Sequence, residues 1–116
     1  MSTKGIRGAI TVKENTKNAL EEETLKLLNE MILKNKISTE KISHVIFSVT
    51  SDLNADFPAK FARLNLNWTN VPMMCFNEID VPESLKKCLR VLIVVNCNDD
   101  FIPEFIYLDG AANLRK

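Results

Sequence analysis

Arg90 stands at the head of Leu89-Arg-Val-Leu-Ile-Val-Val, a run otherwise composed for a buried strand. An unpaired ion costs several kcal/mol to bury even after relaxation, so this guanidinium must meet a carboxylate, a subunit interface or a bound anion. A strand-end arginine that reaches solvent or an internal Asp or Glu satisfies the same requirement. Arg7 shares a strand face with Gly5 and Ala9, small residues that leave room for a ligand beside the backbone. Lys60 and Arg63 are spaced i, i+3, which puts both cations on one side of a helix, where their repulsion is mildly unfavourable unless an anion neutralises it. Glu78 follows an apolar run ending at Phe76 and stands near Cys75, so an acceptor and a weak thiol donor come to one sheet edge. Plain alternatives exist for these residues: a solvated helix face for Lys60 and Arg63, and an ordinary small buried side chain for Cys75.

What is missing narrows the chemistry. The only histidine, His44, opens an apolar run and has no second histidine with which to form a metal cluster or a paired acid and base. The three cysteines, Cys75, Cys88 and Cys97, are widely spaced and contain no C-x-x-C, which indicates neither a disulfide framework nor a zinc site. Gly5-Ile-Arg-Gly-Ala is not G-x-G-x-x-G and does not open a helix, so a dinucleotide or phosphate loop is unsupported. Nucleophilic and metal mechanisms are poorly supplied, and neither a metal nor a cofactor is expected. With 15 Lys and Arg against 15 Asp and Glu, the chain lacks the cationic surplus that a nucleic-acid backbone or an anionic membrane selects. No apolar run approaches the roughly 20 residues of a spanning helix, and the N-terminus lacks an apolar signal core, so a cytoplasmic protein without nucleic-acid or membrane partners is expected.

The elements that must position these residues are legible from period and punctuation. Ile6 to Val12 alternates, with Ile6, Ile10 and Val12 facing one way and Arg7, Ala9 and Thr11 the other, as in a first strand. From about Thr16 the period changes, and Leu20, Thr24, Leu27, Leu28, Met31 and Ile32 fall on one face of a long helix that closes near Lys34 and Lys36. Val45-Ile-Phe-Ser-Val-Thr is β-rich and too short for a core helix. Pro58 suits the first position of a short helix carrying Lys60, Phe61, Arg63 and Leu64. Val71 to Phe76, Leu89 to Asn96 and Phe105 to Leu108 read as three further strands. The expected fold class is α+β, a mixed five-stranded sheet with one long helix and one short helix. With no repeat, three Gly and four Pro, residues 1–116 are expected to form a single domain. One main helix leaves much of such a sheet uncovered, so self-association is expected. To this point the residues describe a domain able to bind a small anion. Enzyme, binding module and charged scaffold all stay open.

In order along the chain, Gly5-Ile-Arg-Gly-Ala, Phe57-Pro-Ala-Lys followed by Arg63, Val71-Pro, Cys75, Glu78-Ile-Asp-Val, Leu85-Lys-Lys-Cys-Leu-Arg-Val, Ile106-Tyr-Leu and Leu114-Arg resemble the small monofunctional chorismate mutases of the AroH class. The resemblance implies a homotrimeric pseudo-α/β-barrel with active sites in clefts between subunits. It also implies a reaction, the cofactor-free Claisen rearrangement of chorismate, a dianion, to prephenate in phenylalanine and tyrosine biosynthesis. By the same resemblance the catalytic residues are Arg90, Glu78, Arg7 and Cys75. Arg90 donates to the ether oxygen, Glu78 accepts the ring hydroxyl with Cys75 hydrogen-bonding nearby, and Arg7 and Tyr107 grip the side-chain carboxylate. Lys60, Arg63 and Arg115 add positive field near the ring carboxylate, Phe57 forms an apolar wall, and Met74 lies beside the site where relatives carry a small polar residue.

Overall fold

The computed structural model describes residues 1–114; Arg115, one of the candidate substrate-binding residues, lies outside the described residues. The elements run β1 (Ser2–Thr11), α1 (Lys17–Asn35), β2 (Ile42–Val49), α2 (Pro58–Asn65), β3 (Met73–Asn77), β4 (Cys88–Cys97) and β5 (Ile106–Leu108), with 3₁₀ turns at Thr39–Lys41 and Asp109–Ala111. The strands form one five-stranded sheet in the order β3-β2-β4-β1-β5. Strand β4 is antiparallel to both of its neighbours, while β3 runs parallel to β2 and β5 parallel to β1. The mixed α+β sheet with one long and one short helix is therefore as the sequence predicts.

Local chemistry sets the helix ends. Thr16 is extended and its hydroxyl accepts from the Ala19 N–H at 3.1 Å, which starts α1. Lys36 takes a left-handed conformation, φ 52°, and its N–H returns to the carbonyls of the last turn, which ends it. Asn35, buried although polar and absent from the apolar pattern, donates to the carbonyls of Met31 and Glu104 and accepts from the Glu104 N–H at 2.7 Å. Those bonds tie the helix end to the loop before β5. Strand β1 begins at Ser2 rather than Ile6, because Ser2, Thr3 and Lys4 pair with Cys97, Asn96 and Val95. Strand β3 begins at Met73 rather than Val71, since the Val71 N–H turns back to the Trp68 carbonyl.

Both helices lie on the same face of the sheet. The core there joins Ile6 and Ile10 of β1, Phe47 of β2 and Leu89, Val91 and Ile93 of β4 to Leu27, Leu28 and Met31 of α1 and Ala62 of α2. The helix comes close to the sheet at Gly8, where a Cβ would collide with the Met31 thioether and stand 3.2 Å from Leu27 Cδ1. The alternating positions form the second face, with Arg7, Ala9, Ile46, Ser48, Met74, Phe76, Arg90, Leu92 and Tyr107. No α-helix covers it among the described residues: Ala111 of the last 3₁₀ turn, Leu85 and Leu114 pack over Ala9 and Cys88 at one end, while Met74 and Phe76 at the other stay 61% and 47% exposed. No helix of the described residues is long and apolar enough to cross a membrane.

Candidate active site

Strand pairing assembles the site on the uncovered face. Phe76, Ser48, Arg90, Ala9 and Tyr107 are successive partners across all five strands, so they form one row. Met74, Ile46, Leu92 and Arg7 form the next row, which sets Arg7 diagonal to Arg90, within reach of long side chains. Glu78 joins from the end of β3, where its N–H donates to the Val49 carbonyl at 2.8 Å.

Arg90 and Glu78 face each other without closing. The Arg90 Nε lies 3.4 Å from Glu78 Oε2, with the two side chains 31% and 29% exposed. The Nε itself is buried and makes no hydrogen bond among the described residues. The Ser48 hydroxyl donates to the same Oε2 at 3.1 Å, and the Ile79 N–H donates to Oε1 at 3.2 Å. At the other end of the row the Tyr107 hydroxyl is likewise buried with no hydrogen-bond partner among the described residues. Buried donors without partners are rare in folded chains, because each forfeits its hydration. Two on one row, with half-buried Arg7 beside them, make a face suited to an anion carrying several oxygen acceptors.

The remaining candidates fall elsewhere. Cys75 pairs with Phe47, on the helical side of the sheet, and packs against the core. Burial pushes its thiol pKa up, and the nearby Ala59 backbone opposes this only in part. The sequence-level placing of the Cys75 thiol beside Glu78 is therefore corrected: strand alternation sends the sulfur to the other face, and only the Cys75 backbone remains at the sheet edge. Room beside Gly5 is also not left for a ligand, since Leu92 Cδ1 fills it at 3.0 Å from an ideal Cβ. Phe57, Lys60 and Arg63 belong to the helical layer, where α2 packs near β3. Phe57 is 70% exposed and Arg63 is exposed. Lys60 Nζ lies 2.9 Å from Asp56 Oδ2, so its charge is answered within the chain. The bonds from Lys60 and from the Phe57 N–H hold the Asp56 carboxyl below its ordinary range.

One chain thus brings together Arg7, Met74, Glu78, Arg90 and Tyr107, and leaves Phe57, Lys60 and Arg63 apart from them. A cavity of about 440 Å³ along β3, lined by Phe57, Pro58, Cys75, Phe76 and Asn77, includes Phe57 but none of the five residues of the sheet face. Sequence reasoning passed over Ser48 and Cys88. The signal for Ser48 was a polar residue on the alternate face of Val45-Ile-Phe-Ser-Val-Thr. Cys88 shares the face of Arg90; burial pushes its thiol up, while the Arg90 cation draws it back. Among the described residues no three His, Cys, Asp or Glu side chains converge so as to hold a metal ion.

Comparison with known proteins bears on this arrangement. A family model described as chorismate mutase type I matches residues 3–116. Chorismate mutase AroH of Bacillus subtilis strain 168 is 37% identical over 119 residues, covering 99% of this chain and 91% of that protein. Chorismate mutase AroH of Thermus thermophilus is 42% identical over 115 residues, covering 97% and 93%. The solved structure of a chorismate mutase from Clostridium thermocellum superposes with a TM-score of 0.88 at 50% identity, covering 93% of this chain and 96% of that one.

Proposed function

The chain belongs to the chorismate mutase type I family, and we propose that its active site joins the uncovered sheet face of one subunit to the α2 region of the next. The reaction is the rearrangement of chorismate to prephenate, a step consistent with aromatic amino-acid biosynthesis. The observation that carries the site assignment is the Arg90 Nε, buried and without a hydrogen bond, beside a Glu78 carboxylate already fixed by other donors.

In this reading Arg90 donates to the ether oxygen of chorismate, where negative charge grows as the C–O bond lengthens. A fixed planar cation aimed at developing charge in a site poor in water contributes about 10²–10³ in rate. Glu78 accepts the ring hydroxyl, with the Cys75 backbone beside it. Arg7 and the Tyr107 hydroxyl hold the side-chain carboxylate, and Met74 borders the site. Lys60 and Arg63 of a neighbouring subunit, with Arg115, supply positive field near the ring carboxylate, and Phe57 closes an apolar wall. No residue transfers a proton or forms a covalent bond. The rate gain comes from holding the flexible substrate in its compact conformer and from stabilising the transition state more than the ground state.

The same division supports association of copies of this chain, which we take to be a homotrimer. Lys60 and Arg63 lie in the helical layer, so a second copy would bring such cations to the sheet face, and the exposed Met74 and Phe76 on that face favour association. The family resemblance supports three copies. We place the enzyme in the cytoplasm, without cofactor, nucleic-acid or membrane partners. The test is direct: purified protein, with nothing added, consumes chorismate by ultraviolet absorbance and yields prephenate. Chorismate left unchanged but bound would instead make the chain a binding module.

A further inference from the structure

We propose that Ser48 is a positioning residue of this site, whose hydroxyl holds the Glu78 carboxylate off the Arg90 guanidinium so that both stay open to the substrate. The inference rests on the reading of Glu78 and Arg90 as substrate-contacting groups.

Ser48 and Arg90 are direct partners across the β2–β4 ladder, so both side chains rise from one row of the sheet. Between them stands one oxygen, Glu78 Oε2, 3.1 Å from the Ser48 hydroxyl and 3.4 Å from the Arg90 Nε. An unrestrained carboxylate and guanidinium settle into charge-assisted bonds at about 2.7–2.9 Å, usually two at a time. Both groups here are more than two-thirds buried, so solvent does little to weaken that pull. Yet the pair has not closed, and the Nε is left without a hydrogen bond. Two donors oppose closure: the Ser48 hydroxyl on Oε2 and the Ile79 N–H on Oε1. Of the two, only Ser48 holds the oxygen that faces Arg90.

Without the Ser48 hydroxyl, Oε2 is free to turn onto the Nε. That ion pair would occupy the donor meant for the ether oxygen and rotate the acceptor away from the ring hydroxyl. The cost falls on the transition state, because the pair must break as charge develops on the substrate. Turnover should therefore fall more than substrate affinity.

Steady-state kinetics on Ser48→Ala, Ser48→Thr, Glu78→Gln and the Ser48→Ala/Glu78→Gln double variant test this. Ser48→Ala is expected to lower kcat about tenfold or more with a smaller change in KM, since hydrogen bonds to charged groups are worth that much. Ser48→Thr, which keeps the hydroxyl on a strand-compatible side chain, is expected to recover most of the loss. In the Glu78→Gln background, where no charge drives closure, removing the hydroxyl should change kcat by less than about twofold. Equal losses in both backgrounds, or an unchanged kcat in Ser48→Ala, would overturn the proposal. Should Ser48→Ala not fold, Ser48→Cys, a near-isostere with a weaker donor, must show an intermediate loss. Wild-type protein that leaves chorismate unchanged would instead overturn the functional reading beneath it.

Discussion

Arg90 and Cys75 project from opposite faces of the same sheet. Arg90 is paired with Ser48 and Cys75 with Phe47, consecutive residues of one strand, so the guanidinium rises into the uncovered face and the thiol sinks into the helical layer. The two residues should therefore respond differently to truncation. Arg90→Ala should lower kcat/KM by at least about 10²–10³ while the protein stays folded. Arg90→Lys should recover little, because lysine lacks the rigid planar fork. Cys75→Ala should keep kcat/KM within a few-fold of wild type. A loss on Cys75→Ala as large as that on Arg90→Ala, followed by chorismate absorbance, would put the thiol itself in the site.

A site shared between subunits can be rebuilt from two damaged chains. Arg90→Ala and Arg63→Ala are each expected to be poorly active as pure assemblies. After joint unfolding and refolding in equal amounts, random closed assembly leaves about a quarter of the interfaces with both arginines. Turnover should return to about a quarter of the wild-type value. No recovery beyond the sum of the two variants would mean that each site lies within one chain.

Gly8 meets the Met31 thioether so closely that a methyl group there would force the Met31 side chain to shift. Gly8→Ala should cost about 1–3 kcal/mol through overpacking, read from the denaturant midpoint. Its position on the helical side of the sheet predicts that activity per folded molecule stays near wild type below the transition. A variant as stable as wild type would show that Met31 can swing aside freely.

Asp52 links acid stability to the strand that carries Arg90. Burial pushes its carboxyl up, but the bond from the Thr50 hydroxyl and the bonds from the Lys87 N–H, at 3.1 and 3.0 Å, outweigh this and leave the value below its ordinary 3.8. A folded value below the unfolded one adds stability above about pH 4 that is lost as pH falls through the folded value. The stability gap between wild type and Asp52→Asn should thus be present at pH 7 and shrink below about pH 4, measured by denaturant unfolding at a series of pH values. A gap independent of pH would exclude the ionised carboxylate as its source.

How far the sequence reached depended on whether a property was local. The period of Leu20 to Met31, the capping Thr16, Pro58 at a helix start and the apolar run around Arg90 are local, and each element they predict is present. Alternation also divided Arg7 and Ala9 from Ile6 and Ile10 before any fold was known. The ordered family motifs, rather than spacing, supplied the reaction. Tertiary structure decided which faces became common property. Only the pairing of Ala9 with Arg90 and Tyr107, and of Ser48 with Arg90 and Phe76, makes five separate strands into one row. That pairing joins segments far apart in sequence, and no local period encodes it. The same pairing sent the Cys75 thiol to the helical side, set α2 apart from the sheet face, and put the Ser48 hydroxyl on the oxygen that Arg90 faces. An alternating strand specifies two sides, but which side is covered is settled only when the helices pack.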